Sequence, residues 1–320
     1  MTARGAEAAE RLPTVLVPCP VCGEDDPRDR RSLPGQLLRV PQRFEAATCG
    51  SCAHRYLREQ VHPDAFEALY DADYPLHRGP GQWGPFAHLV AAAEARVDRR
   101  RVDVVLRARA LDADATVLDL GCGRGTFLRA LHARTGASGL GVDSGLPPSP
   151  PEGPVRLLPG RLPDLPPEVD GHAPFDAVTL WPALAHDPAP AATLAWVRER
   201  LAPGGVLVLE VPDGSAPAAQ RLGVRWAGFH TPRHVSLFDP STLRRLLYRT
   251  GFRVRAHRRA GTLLPYTLLA LTAADALGFR FGRHPAWALF GPWALGLGTT
   301  WPWLGRPELE GRGLQLLVAD

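Results

Sequence analysis

From residue 115 onward, short apolar runs alternate with amphipathic stretches, and this alternation predicts a parallel sheet with crossover helices. The runs are TVLDLG (116–121), SGLGVD (138–143), PVRLL (154–158), FDAVTLW (175–181), GVLVLEVP (205–212), FRVRAHR (252–258) and GLQLLVA (313–319). Helices are expected near 125–135, 189–202 and 239–250. The stretch 144–154 is too rich in Pro and Gly for a regular helix, so the second crossover should be short or irregular. Upstream, residues 63–110 read as a helical connector or lid, first DAFEALYDADYP and then FAHLVAAAEARVDRRRVDVVLRARAL. The second of these has apolar residues at helical spacing and should pack on the segment C-terminal to it. Residues 1–18 read as a loose tail, 19–62 carry paired cysteines, and an apolar stretch at about 260–305, uncharged over 285–304, separates the last two strands. No internal repeat is present.

Composition changes this picture in three ways. The chain has no Lys, Asn or Ile, so its 37 basic residues are all arginine. Ala, Arg, Gly and Pro abound, which GC-biased codon usage explains, and the net charge of +4 is therefore weak evidence for a polyanionic partner. The missing lysine excludes Schiff-base, pyridoxal-phosphate and P-loop chemistry, each of which needs an amine at a fixed place. Four of the five cysteines form two CxxC pairs, which suits a reducing compartment better than a disulfide framework. The first residues, MTARGAEAAERLP, contain no apolar core of signal-peptide length, so a cytoplasmic location is expected.

The segment VLDLGCGRGTF (117–127) carries the clearest chemistry. An apolar strand runs into Asp119, then a glycine turn, then a helix. Glycine at 121 and 123 removes the Cβ atoms that would keep a ligand off the backbone. About twenty residues later the second strand ends in Asp143, whose carboxylate can accept from both hydroxyls of a ribose. A dinucleotide fingerprint would place its third glycine where Thr126 stands. Asp119, two residues before the first glycine, would also repel a pyrophosphate. It suits instead a sulfonium zwitterion whose ammonium needs a carboxylate.

DLGCGRGTF closely resembles the first motif of class I S-adenosylmethionine-dependent methyltransferases, and FDAVTLWPALAHDPAPAATLAWVRERLAPGGVLVLEVPD (175–213) looks like their fourth and fifth strands with the intervening helix. The resemblance covers about 115–258 and the last strand. It implies an α/β Rossmann-like fold with a seven-stranded, mostly parallel sheet and an antiparallel last strand, occupying 111–320. Carried over by position, Asp119, Gly121 and Gly123 would line the methionine portion and Asp143 would hold the ribose. Leu162, following GR in LLPGRL, falls at the adenine contact, and Cys122 and Trp181 complete the cofactor surroundings. Arg161 stands where many relatives have an acidic residue for the adenine amine. Pro182 and Ala185 depart from the family's frequent HxLEH and leave His186 alone of its polar residues.

Cys19-Pro-Val-Cys22 and Cys49-Gly-Ser-Cys52 are two knuckles separated by 26 residues. Two such turns complete a closed tetrahedral shell of four thiolates, a zinc ribbon with a structural role and no open position for catalysis. A redox dithiol or rubredoxin-like iron is the rival reading. Cys122 is a small packing residue and not a ligand. The loop between the knuckles mixes charge signs and lacks clustered aromatics, which disfavours nucleic acid.

RWAGFHTPRHVSLFDPSTLRRLLYRTGF (225–252) follows the fifth strand, at the carboxyl edge where ligands bind. It resembles a stretch of many bacterial methyltransferases encoded with glycan, lipid or natural-product pathways. Trp226, Arg233 and His186 are candidate acceptor contacts, and His230 and His234 are candidate bases. Alternatively, the two histidines only bond the loop to itself. Asp239 or Ser241 should cap the next helix. In the apolar stretch, four of the eight tryptophans cluster at 287, 293, 301 and 303. Its prolines and glycines break any uniform span. An in-plane or re-entrant contact with the inner membrane face, near Arg253, Arg255, Arg258 and Arg259, competes with a buried cap or a homodimer interface. The expectation is methyl transfer to oxygen or carbon of a small-molecule or lipid-linked glycan or natural-product acceptor. The alternatives are an RNA methyltransferase gripping substrate with the ribbon and a non-catalytic cofactor-binding scaffold.

Overall fold

The computed structural model describes residues 11–36, 42–70, 79, 81, 84–85, 87–146, 153–262, 268, 272 and 313–320. In chain order, β1 (Thr14–Leu16), β2 (Pro27–Pro34), β3 (Arg43–Cys49), β4 (Arg55–Leu57) and β5 (Glu59–Val61) come first. Next are α1 (Ala87–Ala108), β6 (Thr116–Leu120), α2 (Thr126–Thr135), β7 (Ser138–Asp143) and β8 (Val155–Pro159). After these come β9 (Phe175–Leu180), α3 (Pro190–Arg200), β10 (Leu201–Pro212), α4 (Pro217–Leu222) and β11 (Ser236–Leu237). Last are α5 (Pro240–Arg249), β12 (Val254–Arg258) and β13 (Leu314–Ala319).

All seven expected strands meet in one sheet, in the order β12-β13-β10-β9-β6-β7-β8. The pairs β10/β9, β9/β6, β6/β7 and β7/β8 are parallel, whereas β13 runs antiparallel to both β10 and β12. The fold is the Rossmann-like sheet with a reversed last strand. The order of strand addition reverses between β6 and β9, which puts the carboxyl ends of β6 and β9 at the crevice where such sheets bind ligands.

The two faces arise from alternation along the strands. Val117, Ala177, Val206 and Val208 pack with Val102 and Val105 of α1 and Phe127, Leu128 and Leu131 of α2. Their neighbours Leu118, Leu120, Val178, Leu180, Leu207 and Leu209 face the other way, toward Leu194 and Val197 of α3 and Leu243, Leu246 and Leu247 of α5. Truncating one such leucine to alanine costs about 2–5 kcal/mol. Asp239, not Ser241, caps α5: its carboxylate accepts from Ser241 N at 2.8 Å and Thr242 N at 2.9 Å.

Three expectations need correction. Residues 14–16 are not loose tail: β1 pairs antiparallel with β5, and Thr14 Oγ1 donates to Glu59 Oε1 at 2.9 Å. The β-branched Thr14 and Val15 suit that pleat. Residues 63–69, read as helix, form a 3-10 turn. The ribbon's sheet also does not stop at residue 62, because its strand order is β11-β4-β3-β2. Leu237 lies opposite Arg55 and Ser236 opposite Tyr56. Cys19, Val21, Cys49, Cys52 and Tyr56 accordingly belong to the same apolar core as Phe238, Leu243 and Leu246.

Most of the apolar stretch at 260–305 lies outside the described residues, as do residues 147–152 of the second crossover. No described helix is long and apolar enough to cross a membrane.

Candidate active site

The cofactor side is built by one strand, one turn and the strands beside it. Register sets Asp119 opposite Thr179 on β9, and Thr179 Oγ1 donates to Asp119 Oδ1 at 2.7 Å. Asp119 is 1% exposed. Burial pushes its carboxyl up to about 7, and Asp143 and Asp98 push the same way against Thr179 and Arg101. A buried carboxylate in acidic surroundings gains from a cationic ligand and repels a pyrophosphate.

Asp143 ends β7 and is oriented by two backbone donors, Gly123 N to Oδ2 at 2.9 Å and Gly145 N to Oδ1 at 3.0 Å. The turn between these acids depends on glycine. Gly121 has φ 78°, and a Cβ there would lie 2.5 Å from that of Ala183. Gly123 has φ 53° with no heavy atom within 4 Å of its missing Cβ, so its backbone is bare to a ligand.

Trp181, just past β9, stands over Arg101, whose guanidinium carbon is 5.2 Å from the ring centroid. Phe127 meets the indole edge-on. The buried Nε1 of Trp181 has no hydrogen-bond partner. A buried donor left unpaired marks a place for a group the protein does not itself supply. Leu162 packs against the main core. Arg161 turns away to lie 4.9 Å over the ring of Phe66. Cys122 is buried, donates weakly to Gly123 O, and burial holds its thiol well above the usual range. It is a neutral packing group.

The candidate acceptor residues are brought together from distant segments. His186 ends a 3-10 turn after β9, and His230 and His234 come from the loop before β11. The ring centroids lie 4.5 Å (186–234), 5.1 Å (230–234) and 6.1 Å (186–230) apart. Tyr70, which the sequence pattern does not single out, brings its hydroxyl to His186 Nδ1 at 2.8 Å.

Burial lowers the pKa of all three imidazoles, that of His234 to about 4. Neighbouring His234 and Arg233 add to the effect at His186, and Arg233 adds to it at His230 and His234. They are neutral at pH 7. His234 Nδ1 lies 2.9 Å from Gly228 O, so Nδ1 carries the proton and Nε2 is the basic atom. His230 has φ 43°, a left-handed conformation that costs a non-glycine residue about 1 kcal/mol or more.

Arg233 is buried, and its Nε donates to Leu69 O at 2.7 Å and Nη1 to Gln36 O at 3.4 Å. Trp226 is fully enclosed and meets Phe229 edge-on, underneath the histidine loop. Ala227 N donates to Thr272 Oγ1 at 2.9 Å, so the beginning of the apolar stretch touches this loop.

The four ribbon cysteines form a second centre. Cys19 and Cys52 sulfurs are 3.6 Å apart, those of Cys22 and Cys49 are 3.5 Å apart, and all four lie within 4.8 Å of one another. A tetrahedral zinc with bonds of ~2.3 Å puts its sulfurs ~3.8 Å apart, so the set fits a structural zinc. Burial raises the Cys19 thiol strongly and the Cys52 thiol to about 11, whereas at Cys49 burial is outweighed by hydrogen bonds from the knuckle, which lower its thiol. A cation is therefore needed to hold Cys19 and Cys52 as thiolates.

An acidic, glycine-floored crevice at the carboxyl edge of a sheet with a reversed last strand defines a class I S-adenosylmethionine-dependent methyltransferase. The comparisons agree. The chain matches the family described as Methyltransferase domain over residues 93–257, more than half of its length, and belongs to that family.

Among solved structures it is similar to an S-adenosylmethionine-dependent methyltransferase from Mesorhizobium loti (19% identity, 70% of this chain and 97% of that one, TM-score 0.44). It is also similar to the 1,6-didemethyltoxoflavin-N1-methyltransferase of Burkholderia thailandensis, solved with 1,6-didemethyltoxoflavin and S-adenosylhomocysteine (18%, 71% and 91%, TM-score 0.41). A third is a cyclopropane synthase of Mycobacterium tuberculosis (16%, 69% and 83%, TM-score 0.45). A comparison with curated protein sequences returns no match.

Proposed function

We propose that this enzyme methylates an acidic oxygen or carbon, a phenol, an enol or an activated methylene, on a small-molecule or lipid-linked natural-product or glycan acceptor. S-adenosylmethionine, when bound by Asp119, Gly121, Gly123, Asp143, Leu162 and Trp181, supplies an already activated methyl group. The protein's own task is to align the acceptor, exclude water and take one proton.

The observation that carries the reading is the buried cluster of neutral imidazoles. His234 is the base, its tautomer fixed by Gly228. His230 and His186 complete the wall, with Tyr70 holding His186. A base whose conjugate acid has a pKa of about 4 is too weak to ionise an aliphatic alcohol beforehand. The acceptor must therefore be acidic in itself or lose its proton as the methyl group arrives.

The described part of the apolar stretch lies against the histidine loop, which suits a cap over a soluble acceptor as well as a lipid-linked one. Thr272 bonds Ala227 and Leu268 joins the cluster around Trp226, so the stretch begins at the acceptor loop. Peripheral contact with the cytoplasmic membrane face through 262–305 would then bring a lipid-linked acceptor to the histidines.

The test is transfer from labelled cofactor to a panel of phenols, enols, aliphatic alcohols, amines and RNA, in solution and on anionic liposomes. The proposal expects transfer to the acidic acceptors. It also expects His234→Asn to lower kcat at least ~100-fold with cofactor affinity within about twofold. Transfer to amines or RNA alone, or an unchanged rate in His234→Asn, would refute it. Co-sedimentation with liposomes supports the lipid-linked acceptor, and its absence restricts the acceptor to a soluble molecule.

A further inference from the structure

We propose that the zinc ribbon is a positioning element for the acceptor loop, and that Gln36 is the residue through which it holds the left-handed turn at His230. Gln36 follows β2 and is 1% exposed. Its backbone N–H donates to Thr231 O at 2.7 Å, and its side-chain Nε2 donates to Trp226 O at 3.0 Å and Val224 O at 3.5 Å. Its own carbonyl accepts from Arg233 Nη1 at 3.4 Å. One ribbon residue thus grips the loop on both sides of His230. That grip is what a strained residue in a segment of short 3-10 turns needs, because such a conformation persists only where its surroundings over-determine it.

The rest of the loop is tied to the same module. β11 pairs with β4, Leu57 N donates to Val235 O at 2.9 Å, and Arg245 Nη1 donates at 2.8 Å to the backbone carbonyl of Cys52, itself one of the four ribbon cysteines. The cofactor turn is held differently. Gly121 and Cys122 donate to Val142 O, Gly123 to Asp143, and Arg124 to Glu94, and among the described residues none of these ties reaches the ribbon. Loosening the ribbon should therefore disturb the acceptor side and spare the cofactor side. The inference rests on the assignment of the histidine loop to the acceptor, but the loop's order can be read without knowing the acceptor.

The experiment uses the full-length, zinc-loaded protein. Gln36→Met keeps the length of the side chain and removes its donors. Amide exchange across 226–238 is expected to accelerate at least ~10-fold, with strands 116–120 and 138–143 unchanged, which a loss of about 1.4 kcal/mol in local opening would give. Zinc content stays at wild-type level and S-adenosylhomocysteine affinity stays within twofold. The ring resonance of His234 titrates closer to 6.5, because the loop no longer keeps it dry.

Arg245→Gln, at an exposed position, tests the same link more gently and decides the matter if Gln36→Met does not fold. It should accelerate the same amides by a smaller factor. Unchanged exchange at 226–238 in a folded variant overturns the proposal. So does acceleration that spreads equally to 116–143 with loss of cofactor affinity, since the ribbon would then be a general staple of the fold. A loosened loop in Gln36→Met together with full activity in His234→Asn would retain this inference and reject only the assignment of the base.

Discussion

The two halves of the crevice are opposite in charge, in origin and in their answer to pH. The cofactor half is acidic and local: Asp119, Gly121, Gly123 and Asp143 come from one strand, its turn and the next strand. The proposed acceptor half consists of neutral imidazoles and is assembled from far apart, with Tyr70 and His186 separated by 116 positions. A cofactor shared by many enzymes can be met by a contiguous motif. An acceptor particular to one enzyme is met by a loop whose shape is borrowed from neighbouring modules. In this chain the neighbour is a cysteine ribbon whose Gln36 and β4 hold the histidine loop.

The strongest way to break that comparison is to remove the metal. Structural zinc contributes apparent free energies on the order of 10 kcal/mol, so Cys49→Ser should release zinc and unfold residues 19–62. Because β11 completes the ribbon sheet, loss of order should extend to 226–238. Elemental analysis and amide exchange check this outcome. Equal loss of protection in β6 and β7 would show that the halves are not separately supported.

A smaller effect separates the halves by acid. The three imidazoles have folded pKa values below the ordinary 6.5, that of His234 about 4. Unfolded histidines take up protons below pH 6.5 while the buried ones do not. Their contribution is thus present above pH 6.5 and is lost as pH falls below it, for His234 down to about 4. Among the described residues, His186, His230 and His234 face one another, Tyr70 and Arg233.

Asp119 acts in the other direction. Its folded pKa is about 7, so the cost of ionising it is present above pH 7 and is relieved as pH falls toward the ordinary carboxylate value. Burial pushes the Asp187 carboxyl up to about 6 and raises Glu210 and Asp98, so these act with Asp119. The test is therefore the difference between wild type and His234→Asn in denaturant titrations at pH 7, 6 and 5 without cofactor. In His234→Asn the acid-induced loss should be shallower. An unchanged slope would mean that His234 is hydrated rather than dry.

The sheet was legible because most strands are compact apolar runs closed by Gly, Pro or Asp, as at Gly121, Asp143 and Pro212, and because strand, glycine turn and helix are local in sequence. Both cysteine knuckles were legible for the same reason. What escaped the sequence depends on long-range pairing. β11 is only two residues long, Ser236 and Leu237, and becomes a strand because β4 offers it an edge. Gln36 lies in an unremarkable polar stretch, and only folding brings it to Trp226 and Thr231. Tyr70 sits within a segment whose pattern reads as connector helix. The partnership of Asp119 with Thr179 is set by the register of β6 and β9, which no spacing in the sequence encodes.

The central claim is that the acidic half binds S-adenosylmethionine. Its most direct test is calorimetric titration of S-adenosylmethionine into the wild-type protein and Asp143→Ala, repeated with NAD. The account predicts one site per chain in the wild type and no binding of NAD. Loss of a paired, charge-assisted acceptor worth about 3 kcal/mol should weaken Asp143→Ala by ~100-fold. Equal affinity in Asp143→Ala, or a preference for NAD, would contradict it.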